Sequence, residues 1–500
     1  MASILRPSAF KATLLFGALA GGAMALGQAP FSLWWLAVLG ILGVFYLNLR
    51  VSTPLQAALL GWLVGTVYFA GSLYWIMAPF QVDAARHGWM APFALVFLSA
   101  GLALLWGAGF GWAKWRTRAP GLALALGWGA AEMLRGYLFT GLPWGLVGYI
   151  WVDTPVAQLA SIIGPYGLTF LTFLVLGGGF GLAGRQKWVA LSGAAFVAVI
   201  AVVFGASQLS KGSSLRSDAP IIRLVQTNAA QREKWQSGKI SLFWERNLAL
   251  TAQNSDHKPD LIVWPETAVP YLMEQAGRAF DVMVQASGGV PIVAGIQRED
   301  GDGFYNSMVV LNGDGSIAQT YDKSHLVPFG EYIPFGTVAR KLGLSGIADQ
   351  LGGGYQAGSG TQLIDLGGLG RALPLICYEA VFPRDVHVAK DRPDWILHIT
   401  NDAWFGKKAG PYQHLTQARM RAIEQGLPVV RAANTGISAA IDPYGRVIDS
   451  LPLGVAGALD VALPAPNSAT VFSKTGNIPL IFFFFTLILS LSVHRYRLSR

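Results

Sequence analysis

Long apolar runs, each near the length of a membrane-crossing helix, constrain this 500-residue chain more than any other feature. A helix that spans a bilayer needs about 20 mostly apolar residues. Candidate spans lie at Lys11–Pro30, Ser32–Leu49, Leu55–Ile76, Trp89–Trp112, Ala119–Arg135, Leu159–Ala183, Trp188–Ser207 and Ile478–Val493, eight in all. Charged residues make up only 13% of the chain, against about 25% in typical soluble domains. They gather between Ser210 and Asp460. The pattern predicts a seven-helix membrane region at 1–210, an ordinary-sized extracytoplasmic domain at 211–467, and a closing span with a cytoplasmic tail at 468–500.

An even number of spans leaves both termini on one side. Arg6, Lys11, Arg50, Lys114, Arg116, Arg118, Arg185, Lys187, Arg495, Arg497 and Arg500 fall on that side, while the opposite short loops hold mainly Arg86 and Arg135. The positive-inside rule then puts the termini in the cytoplasm. The soluble domain faces outward, which for a bacterial inner membrane is the periplasm. The net charge of +9 therefore reports topology and gives no support to a nucleic-acid partner. Ala23-Met-Ala25 resembles a cleavage site, but losing the first segment would break the even count. The turn Gly27-Gln-Ala-Pro30 reads instead as a hairpin between two spans.

From about Pro220 the periodicity changes to short β-rich runs alternating with helical ones. Strands are predicted at Ile221–Gln226, Leu261–Trp264, Pro291–Gly295, Ser307–Leu311, Ala318–Tyr321, Ala372–Cys377, Trp395–Thr400, Val429–Ala432, Ser438–Ile441 and Val447–Asp449. Helices are predicted at Ile240–Gln253 and Tyr412–Gln425. Such alternation argues for helices covering a central sheet, with ligands collecting at the strand carboxyl ends.

Three of those ends carry reactive groups. Leu261-Ile-Val-Trp-Pro-Glu266 delivers a carboxylate from a buried strand, and Pro265 and Pro270 stiffen its segment. Tyr321-Asp-Lys323 supplies an ammonium, with Glu331 further along the same proline-rich loop. The strand Ala372–Cys377 ends in the single cysteine of the chain, which has no internal disulfide partner. Carboxylate, ammonium and thiol together suffice for acyl transfer: Glu266 as general base, Cys377 as nucleophile, Lys323 against the tetrahedral oxyanion. Thr400-Asn-Asp402-Ala-Trp404-Phe405-Gly406 follows another apolar strand and is a candidate pocket wall.

Other chemistries lack their residues. His325, His387, His398 and His414 have no dyad or metal spacing and read as structural, and one cysteine leaves no zinc set. No cofactor is implied, for no phosphate-binding glycine loop occurs. Asp83, Glu132, Arg135 and Asp153 are too few near the spans for a transporter's path. Arg135, beside Gly136-Tyr137, is a candidate contact for a lipid headgroup. Seven glycines between Val338 and Gly360 suggest a lid or lipid-entry arm.

Trp264-Pro-Glu266-Thr267, the stretch Asp322–Pro334, Ile376-Cys-Tyr-Glu379 and Ile399–Gly406, in this order, resemble the nitrilase superfamily of carbon–nitrogen hydrolases. The resemblance implies an αββα sandwich with a Glu266–Lys323–Cys377 triad, so the whole reads as an α+β membrane protein: an eight-helix transmembrane region plus a nitrilase-like domain. Joined to the spans and to Gly141-Leu-Pro143-Trp144-Gly145, the domain is similar to the apolipoprotein N-acyltransferase branch. That likeness implies a phospholipid acyl donor, a diacylglyceryl-lipoprotein acceptor and a Cys thioester between them. Trp235, Asn306, Glu331, Tyr378 and Glu379 fall on further family positions: Glu331 as a second carboxylate near the lysine, Trp235 and Tyr378 as pocket or lid residues. A membrane-anchored amidase with the same triad, delivering the acyl group to water, is the alternative.

Overall fold

The computed structural model describes residues 7–115, 119–216, 220–301, 303–334, 354–387 and 391–487. Arg6, Arg116, Arg118, Arg495, Arg497 and Arg500, the end of the last expected span and residues 338–353 of the glycine-rich arm lie outside the described residues.

Helices form at all of the apolar segments. Five meet the length and apolarity needed to cross a bilayer: Ser8–Ala25, Pro54–Ser72, Ala84–Trp115, Pro155–Gly177 and Gly184–Leu209. Trp34–Arg50 and Ile478–Leu487 are apolar but shorter. Pro120–Tyr137 has 18 residues, and Glu132, Arg135 and its glycines dilute its apolar content. The expected count of eight spans is therefore not reproduced by length and composition among the described residues. Large side chains such as Phe97, Leu104, Phe196 and Phe485 point outward from the bundle, as lipid-facing residues do.

Within the bundle, small residues let backbones touch. At Gly109, on the helix Ala91–Trp115, an added Cβ would lie 2.4 Å from Gly127 O on the helix Pro120–Tyr137. The reverse is equally true at Gly127. Neither position accepts a side chain without separating the helices.

Two six-stranded sheets follow. In the first, β1 (Ile221–Gln226), β2 (Leu261–Val263) and β3 (Ile292–Asp300) run parallel, with antiparallel β4 (Gly303–Leu311) and β5 (Ile317–Asp322) on one side and β12 (Gly457–Ala462) on the other. In the second, β7 (Arg371–Ile376), β8 (Trp395–Thr400) and β9 (Val429–Ala433) run parallel, flanked by β6 (Ile364–Asp365) and by β10 (Ser438–Ile441) with β11 (Val447–Leu451). Strand alternation alone suggests one central sheet. The chain forms two because both have an apolar inner face: Leu224, Val263 and Met308 meet Ile376, Leu397 and Ala432 in one core.

Neighbouring strand residues point the other way, as the two-residue period requires. Ile262 and Trp264 pack outward on Phe280 and Met283 of the helix Gly277–Ser287. Leu375, Ile396 and Val429 pack outward on Ala418 and Ala422 of the helix Gly410–Gln425. The result is an αββα sandwich.

The helix Gly410–Gln425 is buried on its far side too. Met420 and Ile423 pack with Leu126, Tyr149, Ala157 and Tyr166 of the membrane region. One helix thus serves as an outer layer of the sandwich and as its seat on the bundle.

Replacing Gly109 with Leu should lower the thermal unfolding midpoint of the detergent-purified protein, by the equivalent of about 1–3 kcal/mol of overpacking. An unchanged midpoint would mean that the two helices do not touch there.

Candidate active site

Each reactive side chain leaves a strand end, and the backbone fixes its direction. Glu266 follows β2 through Pro265, whose carbonyl accepts from Gly295 N at 3.2 Å on the neighbouring strand. Lys323 continues β5, and its N–H donates to Asn306 O of β4 at 2.9 Å, so the β4–β5 register brings Asn306 and Lys323 together. Cys377 follows β7 with φ of 50°. That left-handed conformation is uncommon for any residue with a side chain and turns the chain sharply at the thiol.

The groups converge in a nearly dry site. Lys323 is 1% exposed, Cys377 4% and Glu266 5%. Lys323 Nζ lies 2.8 Å from Glu331 Oε1 and 3.6 Å from Glu266 Oε1. Asn306 Nδ2 bridges the carboxylates, donating to Glu266 Oε1 at 2.7 Å and Glu331 Oε1 at 3.0 Å. The backbone N–H of Asn401 donates to Glu266 Oε2 at 2.7 Å, and that of Val327 to Glu331 Oε2 at 2.8 Å. Both carboxylates are therefore held at both oxygens.

The electrostatics follow from burial and from these pairs. Burial pulls Lys323 toward neutrality, but the charges of Glu331 and Glu266 outweigh it and raise its pKa. Burial pushes the Cys377 thiol well above its usual range, and Glu266 adds to this; Lys323 and a hydrogen bond with Thr400 oppose it without prevailing. The balance favours the neutral thiol over the thiolate.

Glu379 has a different place from the triad. Its Oε1 accepts from Tyr321 OH (2.8 Å), Ser324 N (2.7 Å), Ser324 Oγ (2.9 Å) and His325 N (3.2 Å), and Oε2 accepts from Ile376 N (2.8 Å). It clamps the lysine loop to the strand that carries Cys377. Tyr378 is 6% exposed and packed against the rings of His325 and Phe382. Trp235 is 44% exposed and lines a small pocket with Lys234, Phe243, Trp244, Pro265 and Glu266.

Arg135 is a correction. Its guanidinium is 2% exposed, paired with Glu132 at 2.8 Å and donating to the carbonyls of Leu142 and Trp144. Those partners leave it no face for a lipid headgroup; it props the Gly141–Gly145 loop from beneath. Among the described residues the glycine-rich arm contributes Gly358, whose N–H donates to Lys323 O at 2.8 Å.

Sequence reasoning missed Lys234. Its Nζ donates to Thr267 Oγ1 at 2.6 Å and Glu266 O at 3.3 Å, and burial lowers its pKa to about 8 against the opposing charge of Glu266. Nothing around it marks it out from a surface lysine. The Asn401 donor is a backbone group, which no side-chain pattern discloses. Among the described residues no cluster of His, Cys, Asp or Glu could hold a metal ion.

Two sheets with a carboxylate, an ammonium and a thiol at their ends define a class, and residues 214–469 match the carbon-nitrogen hydrolase family. Residues 20–178 match the apolipoprotein N-acyltransferase N-terminal domain. The chain is 38% identical to the apolipoprotein N-acyltransferase of Rhodopseudomonas palustris, over 92% of this chain and 91% of that protein. It is 39% identical to that of Bradyrhizobium diazoefficiens, over 85% and 83%. Among solved structures, an amidase from Nesterenkonia sp. covers 51% of this chain and 93% of its own at 19% identity, with a TM-score of 0.36. The chain belongs to the apolipoprotein N-acyltransferase family. It is a membrane protein and an acyltransferase, and the hydrolytic alternative gives way to these full-length matches.

Because burial and Glu266 raise the Cys377 pKa, its alkylation by iodoacetamide should keep accelerating through the ordinary thiol range near pH 8.5. A plateau reached below about pH 7 would show a thiolate stored by Lys323 and remove the need for a base.

Proposed function

We propose that Cys377 carries a fatty acyl chain as a thioester, taken from a phospholipid and given to the N-terminal amine of a diacylglyceryl-cysteine lipoprotein. The observation that carries this reading is the buried Lys323 ammonium, facing Glu331 and Glu266 beside a lone protonated thiol. A soluble hydrolase needs no bundle beneath it, whereas a lipid-anchored donor and acceptor require the site to be held at the bilayer.

In the first half-reaction, Glu266 takes the Cys377 proton as sulfur attacks the ester carbonyl carbon. Negative charge gathers on the carbonyl oxygen near Lys323 Nζ, whose proximity to the carboxylates keeps it charged. The C–O bond breaks, the lysophospholipid oxygen takes the proton from Glu266, and a thioester remains. In the second, the acceptor amine attacks the thioester carbon and gives a proton to Glu266. The C–S bond breaks, and the proton returns to sulfur. Asn306 and the Asn401 N–H hold Glu266 in one orientation for both steps, and Glu331 keeps Lys323 aimed. Trp235 and Lys234 flank the route to Glu266, and Glu379 with Tyr378 braces the nucleophile turn.

The same reading divides the chain into a membrane region at 1–210, a catalytic domain at 211–467 and a closing segment at 468–500. It sets the enzyme in a bacterial inner membrane with both termini cytoplasmic and the catalytic domain periplasmic. The uneven distribution of Lys and Arg along the loops supports that orientation.

Incubating the protein with phospholipid alone should give an acyl adduct on Cys377 by mass spectrometry, absent in Cys377→Ala. Glu266→Gln should slow both half-reactions, by about 100-fold or more for a lost general base. Lys323→Ala should slow them by about 100- to 1,000-fold, as loss of an oxyanion partner does. N-acylation of a diacylglyceryl peptide by Cys377→Ala at the normal rate would end the thioester scheme.

A further inference from the structure

Behind the nucleophile lies a second polar cluster that acyl transfer leaves unused. The backbone carbonyl of Cys377 faces His414 Nε2 at 3.1 Å and His398 Nε2 at 3.3 Å. Arg431 Nη1 reaches His398 Nδ1 at 2.9 Å, so that ring accepts there and turns its N–H toward Cys377. His414 Nδ1 lies 2.8 Å from Asp402 Oδ1, and Asp402 also accepts from Arg431 Nη2 at 2.5 Å and Thr400 Oγ1 at 2.9 Å. His398, Asp402, His414 and Arg431 are all 0% exposed. Burying four ionisable groups is expensive unless each is paired, and here both imidazoles place Nε2 within hydrogen-bond distance of one peptide carbonyl, to which His414 donates together with Asp402 only when both of its nitrogens carry protons. That carbonyl belongs to the residue held at a positive φ, where a backbone needs outside restraint to stay.

The cluster also touches the membrane region. The His414 ring stacks on Trp144, centroids 5.6 Å apart. Trp144 Nε1 donates to Gln413 Oε1 at 2.7 Å, and Gln413 Nε2 donates to Ala29 O and Ser72 O, both at 3.0 Å. Trp144 and Gln413 are themselves buried. Gln413 therefore joins three separated stretches of the membrane region, and the next residue on the same helix grips the nucleophile's backbone. A displacement of the Gly141–Gly145 loop would be passed to Cys377 through a single peptide unit.

We propose that Gln413–His414 is the joint through which the membrane region sets the aim of Cys377. His414 is a positioning residue for the thiol, backed by Asp402 and held against Trp144. The proposal rests on Cys377 being the nucleophile. It adds that the bundle takes part in catalysis mechanically, apart from any contact with lipid.

The test uses the full-length protein in phospholipid mixed micelles with a synthetic diacylglyceryl-cysteine peptide. His414→Leu should lower kcat and the rate of Cys377 adduct formation by about 100-fold, the effect of a misplacement near 1 Å, with KM nearly unchanged. His414→Gln keeps a donor for the carbonyl and should recover at least about tenfold of that loss. Gln413→Leu, which removes only contacts to the membrane region, should also lower kcat with KM unchanged. The double variant should be no slower than His414→Leu, because the two residues act along one path. Normal kcat in either Leu variant overturns the proposal, as does equal loss in His414→Leu and His414→Gln. If His414→Leu fails to fold, Gln413→Leu and His414→Gln decide: normal kcat in Gln413→Leu overturns the joint. An absent wild-type adduct would defeat the thioester reading itself, whereas a normal adduct with normal variants defeats only the coupling.

Discussion

Lys323 keeps a positive charge in a site almost closed to water, which is tolerable only because Glu331 lies 2.8 Å away and Glu266 3.6 Å. Much of the surrounding architecture follows from that cluster. Asn306 is needed between the two carboxylates, and backbone N–H groups must meet the oxygens that the lysine leaves over. Removing any one member leaves a buried charge without its partner, so the triad and its supports form one electrostatic unit. Burial and the charge of Glu266 both raise the Cys377 pKa, so the same arrangement that keeps the lysine charged favours the neutral thiol.

The second constraint is mechanical. Donor and acceptor of an enzyme in this family meet it at a lipid surface, and a catalytic domain that rocked freely on its bundle would lose the alignment that an approach of about 3 Å demands. The helix Gly410–Gln425 answers this by being buried on both sides, against the second sheet and against the bundle. Arg421 strengthens the same seam: it donates to the carbonyls of Ala380 and Val381, just past the nucleophile, and to Tyr149 OH of the membrane region. Arg421 thus ties the turn that follows Cys377 to the membrane region.

Legibility in the sequence varied with the range of the interaction. The strand ends bearing Glu266, Lys323 and Cys377 were readable because a buried strand running into a charged or reactive residue is a local pattern. The short strand Ile364–Asp365, the edge strand Gly457–Ala462 and the helix Gly277–Ser287 were not foreseen, since partners distant in sequence stabilise them. Glu379 and Glu331 lie on equally conspicuous loops, yet one braces the chain and the other faces the lysine. Only the packing distinguishes them. Arg135 read as an interfacial cation because the sequence does not disclose that Glu132, one helical turn earlier, faces the same interior gap.

By itself the sequence determined the membrane character, the positions of most helices and strands, and which chemical groups stand at strand ends, because hydropathy and periodicity act over neighbouring residues. Tertiary structure decided that the strands form two sheets, that the carboxylates flank one ammonium, and that His398 and His414 face the backbone carbonyl of Cys377. Those outcomes depend on contacts between residues far apart in the chain, whose energies exist only once the layers have closed and water has been excluded.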